Sequence, residues 1–471
     1  YPLRRQRQMC IRDSCYICIK GTKLDGHDFA ADAVKSGAKL VVCEHPLPLD
    51  VPQIVVDDTR ESLGLIAANF YHHPRDNFKL IGITGTNGKT TTTYMIKNIL
   101  ECAGQKVGVI GTIGVVIGNK QLPATLTTPD PIELHRIFRQ MADNGVDTVV
   151  MEVSAHAIAL KKMSGIICDV GVLTNVTQDH LDFFGTFEHY AATKSRFIKP
   201  DYCKLGIVNA DDETGLNIVV AMQNCAPKNF HLLSYGLNNP ADNFATNIKY
   251  ELHGTHYFLN ILDDIACINT RLIGEFNIYN ALAAASACRA VGADMQSVKL
   301  GLNSMEFVPG RINVIRLPNG ASVVIDYAHT PDGLENILSS VRKITKGKMY
   351  SVFGCGGNRD KSKRAIMGKI SGRLADFTVL TSDNPRLEPP KAIIDDIRVG
   401  ISQVSPDFVC IPDRVDAIHY VLSRLTPNDV AVLAGKGAED YLDIGGRKIH
   451  YSDFETVENE SRKIWHEVQK C

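Results

Sequence analysis

The sequence has almost no net charge: 51 lysines and arginines face 52 aspartates and glutamates, for a formal charge of -1 over 471 residues. That balance excludes a nucleic-acid binder working through bulk charge, but small anions remain possible ligands because their sites need only local positive charge. Long hydrophobic runs are also missing. None approaches the roughly 18 residues a membrane helix needs, so a soluble protein is expected, with no membrane partner. A disulfide framework is lacking too. The thirteen cysteines are scattered and odd in number, which in so long a chain suggests the reduced thiols of a cytoplasm. Cys15 and Cys18 in "CYIC" could be half a zinc site, yet no second pair follows at ligand spacing, and strand alternation accounts for them. Repeats and low-complexity tracts are absent. The opening "YPLRRQRQMCIRDS" lacks the apolar core of a secretory signal and is read as a segment standing in place of the natural start.

What is present is a rhythm. A chain of this length exceeds one core and implies several domains. Over residues 1–77, "CYICI" and "AKLVVCE" read as strands, "HDFAADAVKSG" as a helix ending at Gly37, and "TRESLGLIAANFY" as a second helix. From 78 to 308, "FKLIGIT", "KVGVIGTIG", "DTVVMEVS", "CDVGVLTNVT" and "KLGIVNADD" are apolar strands running into polar or glycine-containing loops. From 309 to 471 the rhythm restarts in "ASVVIDYAHTPD", "KMYSVFGCGGNRD", "FTVLTSDNPR" and "DVAVLAGKGAED". The fold class is α/β in three domains, with largely parallel sheets whose ligands sit beyond the carboxyl ends of strands.

The segment "GITGTNGKTTT", residues 82–92, has Ile83 where the common P-loop spacing needs glycine. It still joins a strand to a helix whose apolar residues Ile96, Ile99, Leu100 and Ala103 are expected on one face, with Gly104 ending it. Gly85 and Gly88 would let backbone N–H groups turn toward phosphate oxygens, Lys89 would neutralise the terminal phosphates, and Thr90 could offer its hydroxyl to Mg2+. A tight turn capped by threonines is the plainer alternative. Glu152, at a strand end, suits Mg2+ by charge. Taken alone, His180 reads as a loop or cap residue, Lys194 as a solvated lysine, and "DNPR", residues 383–386, as a proline turn.

G-T-N-G-K-T-T resembles the compact ATP loop of the Mur ligases, which build the peptide of bacterial peptidoglycan, and of the related folylpolyglutamate synthases. The resemblance runs from about Cys15 to the C-terminus and is strongest toward the branch that adds meso-diaminopimelate. It implies a central P-loop-type ATPase domain and a Rossmann-like C-terminal domain. It also implies ATP binding by Gly85, Thr86, Asn87, Gly88, Lys89, Thr90 and Thr91, with Asn277 near adenine and Arg311 and Asp326 on phosphates and ribose. Lys89, Glu152, His180 and Lys194 would be catalytic. Thr90, Glu152, His180 and a carbamylated Lys194 would hold Mg2+, since a carbamate attracts the metal that an ammonium repels. Thr127, Thr128, Ser154 and Lys162 would meet UDP-MurNAc-L-Ala-D-Glu. Lys162 stands where the family has arginine, keeping charge without bidentate geometry.

For meso-diaminopimelate the resemblance implies Arg359, Asp383, Asn384, Pro385, Arg386, Gly435 and Glu439, with Arg386 on the second carboxylate. Ala438 replaces the histidine of the family's "GKGHE". The expected activity is an ATP-dependent amide ligase passing through an acyl phosphate, acting as a cytoplasmic monomer. Alternatives are a lysine-adding ligase, a folylpolyglutamate-synthase-like enzyme, or a nucleotide-binding regulator without catalysis.

Overall fold

The computed structural model describes residues 13–21, 24–118, 120–123, 126–224, 230–251, 254–306, 308, 313–437 and 439–466. Its first sheet has three parallel strands, Cys15–Ile17, Leu40–Cys43 and Gln53–Val55. The intervening helix is Ala30–Lys35, and Gly37 takes the left-handed conformation (φ 104°) that ends it. Cys18 continues the ladder past the strand and is buried, its thiol pushed up to about 11 chiefly by burial. Cys18 packs with Ala30, Val41 and Cys43 in the small core of this sheet, the place a strand residue facing inward takes.

The second sheet has eleven strands. Its middle is parallel, in the order His231–Gly236, Cys203–Asn209, Cys168–Leu173, Lys79–Thr84, Thr148–Glu152, Val107–Gly111. Both flanks are extended: Gly114–Ile117 and Lys120–Leu122 add antiparallel on one side, while on the other Asn243–Glu251 joins His231–Gly236 in parallel and Gly254–Ile261 and Asp264–Thr270 follow antiparallel. The last three alternate buried and exposed residues, as a one-faced antiparallel sheet should. Lys79–Thr84 lies inside the sheet with nearly every side chain buried. The loop that follows therefore starts from a rigid strand end.

The helix after that loop, Lys89–Cys102, buries Met95, Ile96, Ile99 and Leu100. Each such aliphatic side chain contributes roughly 1.5–3 kcal/mol. Ala103 does not join them: it is exposed and caps the helix, and Gly104 (φ 78°) makes the reversal. The partner helix Glu275–Ala290 is buried along most of its length, with Ala281, Ala283, Ala284, Ala285 and Ala287 all inside. Short side chains let it run close beneath the sheet and bring its first turn to the phosphate loop.

The third sheet places Asn313–Arg316 antiparallel to Ser322–Asp326. Parallel strands Val430–Ala434, Met349–Phe353, Phe377–Leu380 and Phe408–Cys410 follow in that spatial order. A hairpin, Tyr441–Ile444 with Arg447–His450, stands beside its carboxyl end. No helix among the described residues is long and apolar enough to cross a membrane.

Candidate active site

Gly85 and Gly88 have φ of 146° and 85°. A Cβ on Gly85 would lie 1.9 Å from Thr174 Oγ1, and one on Gly88 would lie 2.3 Å from Asn280 Oδ1. Only glycine fits either place, on grounds of both space and conformation. The loop is clamped from the next strand end. Thr86 N–H donates to the Asn175 carbonyl (2.8 Å), Asn87 N–H to Asn175 Oδ1 (2.9 Å), and Thr174 Oγ1 to the Asn87 carbonyl (2.6 Å). Helix Lys89–Cys102 then begins at Gly88 without a side-chain cap, leaving its N-terminus to meet an anion. Lys89 Nζ donates to the carbonyls of Gly85 (2.8 Å) and Thr86 (2.9 Å), across the mouth of the loop.

Lys194, which taken alone reads as a solvated lysine, is buried in the structure. It is 2% exposed, and its Nζ donates to the same Gly85 carbonyl at 2.7 Å and lies over the Tyr190 ring. Burial first, then the nearby Lys89 charge, drives its pKa well below that of an ordinary lysine. A neutral amine is the form that can add CO2. Glu152 is equally buried; its carboxylate accepts from Thr112 N–H (3.1 Å) and Thr112 Oγ1 (3.0 Å). His180, itself left-handed (φ 54°), opens a short helix, with its Nε2 3.4 Å from Asp179 and its ring edge-on to His156. Burial, countered in part by Asp179, lowers its pKa.

Among the described residues, no three His, Cys, Asp or Glu side chains gather as a closed metal cage. Mg2+ keeps waters and phosphate oxygens and takes only one or two protein carboxylates, so it needs no such cage. Glu152 and Thr90 fit such a role.

Near Glu152, Thr127 and Thr112 share a hydroxyl contact of 3.1 Å, and Ser154 caps the helix Ala155–Ala159. Thr128 is turned inward: it is 1% exposed and its hydroxyl donates to the Glu152 carbonyl (2.9 Å). This makes it a brace of the strand end. Lys162 Nζ pairs with Asp130 at 2.8 Å and reaches the Thr128 carbonyl at 3.3 Å.

From the third sheet, Arg386 is left-handed (φ 53°), donates to the Gly357 carbonyl at 2.7 Å and reaches Asp443 only at 4.0 Å. Asn384 donates to Glu439 (2.8 Å), while Lys436, wholly buried, donates to both Asn384 Oδ1 (3.0 Å) and Glu439 (2.8 Å). Gly435 (φ 116°) lies against Asp383, where a Cβ would come within 2.5 Å of Oδ2. Burial raises the Asp383 carboxyl. The two sheets meet where Asn87 Nδ2 donates to Asp332 at 2.5 Å, next to the start of helix Pro331–Ile344.

These groups surround one cavity of about 480 Å3. Thr86, Asn87, Gly88, Lys89, Thr90, Thr91, Thr127, Glu152, Ser154, His180 and Asn277 line it from the central sheet. Asp326, Arg359, Asp383, Asn384, Arg386, Gly435 and Glu439 line it from the third. Gly85, Thr128, Lys162, Lys194 and Pro385 stand behind or beside that lining, and Arg311 and Ala438 lie outside the described residues. Sequence reasoning missed Asn280, Asp179 and Lys363, which also line it, and Asp332, which meets Asn87 beside it. Asn280 was findable, three residues after Asn277 on one helix face; the others needed the two sheets to be brought together.

A larger cleft of about 960 Å3 opens at the other end of the central sheet, around Arg75, Asp169 and Lys204. Arg75 and Lys204 are both already paired with Asp169 (2.7 and 2.8 Å). It lies at the amino ends of these strands, so size alone is a poor guide here; chemistry in open parallel sheets sits at the carboxyl ends.

Residues 7–71, 83–288 and 310–437 match, in turn, the family models described as Mur ligase family, catalytic domain; Mur ligase middle domain; and Mur ligase, glutamate ligase domain. The chain is 43% identical over 447 residues to the UDP-N-acetylmuramoyl-L-alanyl-D-glutamate--2,6-diaminopimelate ligase 1 of Clostridium acetobutylicum, covering 94% of this chain and 90% of that one. It is 41% identical over 450 residues to the ligase of the same name from Geobacillus kaustophilus, covering 93% and 90%. A solved structure of a UDP-N-acetylmuramoyl-L-alanyl-D-glutamate--2,6-diaminopimelate ligase superposes with a TM-score of 0.71 at 30% identity, over 98% of this chain and 94% of that one. A folylpolyglutamate synthase of Mycobacterium tuberculosis, complexed with ADP and AMPPCP, shares the fold at 18% identity (TM-score 0.66), over 80% of this chain and 92% of that one.

Proposed function

The chain belongs to the Mur ligase family, and from that membership we propose that it joins meso-2,6-diaminopimelate to UDP-MurNAc-L-Ala-D-Glu at the expense of ATP. The observation that carries this reading is the single cavity lined from two sheets, with a phosphate loop on one wall and the Arg386 loop on the other. In this reaction the γ-carboxylate of the D-glutamyl residue attacks the γ-phosphorus of ATP, releasing ADP and leaving an acyl phosphate. The amine of diaminopimelate then attacks the acyl carbon, and phosphate leaves as the amide forms, with loss of one proton.

The loop N–H groups and Lys89 hold the phosphates and offset the charge that spreads over the transferring group. Glu152, Thr90, His180 and a carbamylated Lys194 are the groups proposed to hold Mg2+, which would supply further charge neutralisation when bound. Thr127, Ser154 and Lys162 orient the UDP-linked substrate. Arg386 meets the distal carboxylate of diaminopimelate, with Arg359, Asn384 and Glu439 around its amino-acid end. Lysine has no such carboxylate, and its terminal ammonium would be repelled by Arg386. Bringing three substrates to two sheets requires the C-terminal sheet to dock on the loop, and Asn87–Asp332 is a contact that would form part of that docked state. The reading assigns a monomer working in the cytoplasm.

The test is phosphate release by the purified protein with ATP and Mg2+. Release should require both the UDP-dipeptide and meso-diaminopimelate. Release with ATP alone, or none with all three, would contradict a ligase.

A further inference from the structure

Arg414 and Asp453 form the most deeply buried ion pair of the third sheet, both side chains 0% exposed, and neither lines the cavity. Arg414 Nε donates to Asp453 Oδ1 at 2.8 Å and one terminal nitrogen to Oδ2 at 2.7 Å, a two-pronged pairing. The same guanidinium also donates to two main-chain carbonyls, Ala434 at 3.1 Å and Ser382 at 3.3 Å. The carboxylate is further fixed by the Tyr451 hydroxyl, 2.8 Å from Oδ1.

Those two carbonyls are not arbitrary. Ala434 ends one strand and is followed at once by Gly435, whereas Ser382 follows the Phe377–Leu380 strand and precedes Asp383. In the sheet these strands are separated by Met349–Phe353, so the guanidinium spans the carboxyl ends of three neighbours. The segments it anchors run directly into the loops 383–386 and 435–439. Asp453 itself begins the C-terminal helix Asp453–His466, and Arg414 begins the helix Arg414–Leu422.

We propose that the Arg414–Asp453 pair is a positioning device for the amino-acid site, setting the relative placement of the Asp383–Arg386 and Gly435–Glu439 loops from behind. The inference rests on the reading that those loops hold diaminopimelate. A pair serving stability alone has no need of two strand-end carbonyls, because a buried ion pair is commonly replaceable by apolar side chains at little cost. Four hydrogen bonds from one guanidinium instead fix two loops to a common point. The Lys436 ammonium, bridging Asn384 and Glu439, completes the link at the cavity side.

The experiment compares Asp453→Asn, the double variant Arg414→Met/Asp453→Leu, Tyr451→Phe and Arg386→Ala, all in the full chain, for Tm and for the KM of each substrate. Asp453→Asn should raise the KM for meso-diaminopimelate about tenfold or more, the scale on which small misplacements act, with the KM for ATP nearly unchanged. The apolar double variant should recover Tm but keep the raised KM. If its KM recovers along with Tm, or if the KM for ATP rises in parallel, the pair is structural only and the proposal is overturned. Should the double variant not fold, Tyr451→Phe decides: a selective rise in the same KM supports the device, and an unchanged one contradicts it. Arg386→Ala separates the two claims. If it leaves the diaminopimelate KM unchanged, the loop assignment has failed; if it raises that KM while Asp453→Asn does not, only the device has failed.

Discussion

Lys194 illustrates how a residue's meaning can be set by its surroundings. In sequence it is one lysine among many on a helix, Phe187–Ser195, with no strong apolar face. In the fold it is buried beside Gly85 and Lys89, where burial and the Lys89 charge push its pKa well below that of an ordinary lysine. If it acts as a carbamate, Lys194→Ala should lose nearly all activity yet still bind ATP, because Lys89 and its loop are intact. Short carboxylic acids in solution should restore part of the activity, and rescue by small amines but not by acids would contradict the carbamate. Arg386 makes the complementary case. Arg386→Ala should raise the KM for diaminopimelate by an amount corresponding to roughly 2–4 kcal/mol, the cost of losing a charged, bidentate partner, and unchanged kinetics would remove it from the site. The sequence made Arg386 legible because "DNPR" is contiguous. It could not show that Thr128 points inward or that Lys162 is paired with Asp130, since both contacts join segments separated by a helix and a strand.

At the scale of elements, strands followed by polar loops were readable because each is a local pattern. The strands Asn243–Glu251, Gly254–Ile261 and Asp264–Thr270 were not, since burial there does not follow residue type, with Ile265 and Cys267 exposed and Thr270 buried, and the register shifts at Thr246–Lys249. Helix Pro131–Asp143 carries a further consequence. Its His135 is 1% exposed, neither ring nitrogen has a hydrogen-bond partner, and burial, aided by His73, brings its pKa down to about 4 from 6.5. Between those values the unfolded chain takes up a proton that the folded chain refuses. Stability therefore falls as pH drops from 6.5 toward 4, with a slope of up to about 1.4 kcal/mol per pH unit from this group. Above 6.5 the contribution is constant. His135→Phe, which keeps a flat ring beside Phe138, should lose less stability than the parent in urea titrations between pH 7 and pH 4.5. Parallel losses would exclude His135 as the source.

At the scale of the whole molecule, the function depends on two sheets contributing to one cavity. Neither the phosphate loop nor the Arg386 loop identifies a reaction by itself; in the proposed reaction one would hold ATP and the other would select the amine. A shared fold does not decide between them, as the folylpolyglutamate synthase likeness makes plain. Asp332 and Asp179, which lie between the sheets, were left out by sequence reasoning, because Asp332 meets Asn87, and Asp179 faces His329 and Lys363, only across more than a hundred residues of chain. The central claim is that this cavity couples ATP use to one amino acid. Its most direct measurement is a competition assay: ATP, Mg2+ and the UDP-dipeptide with equal concentrations of meso-diaminopimelate and L-lysine, the products separated by mass. The account predicts the diaminopimelate tripeptide in large excess. Equal or greater incorporation of lysine would contradict it.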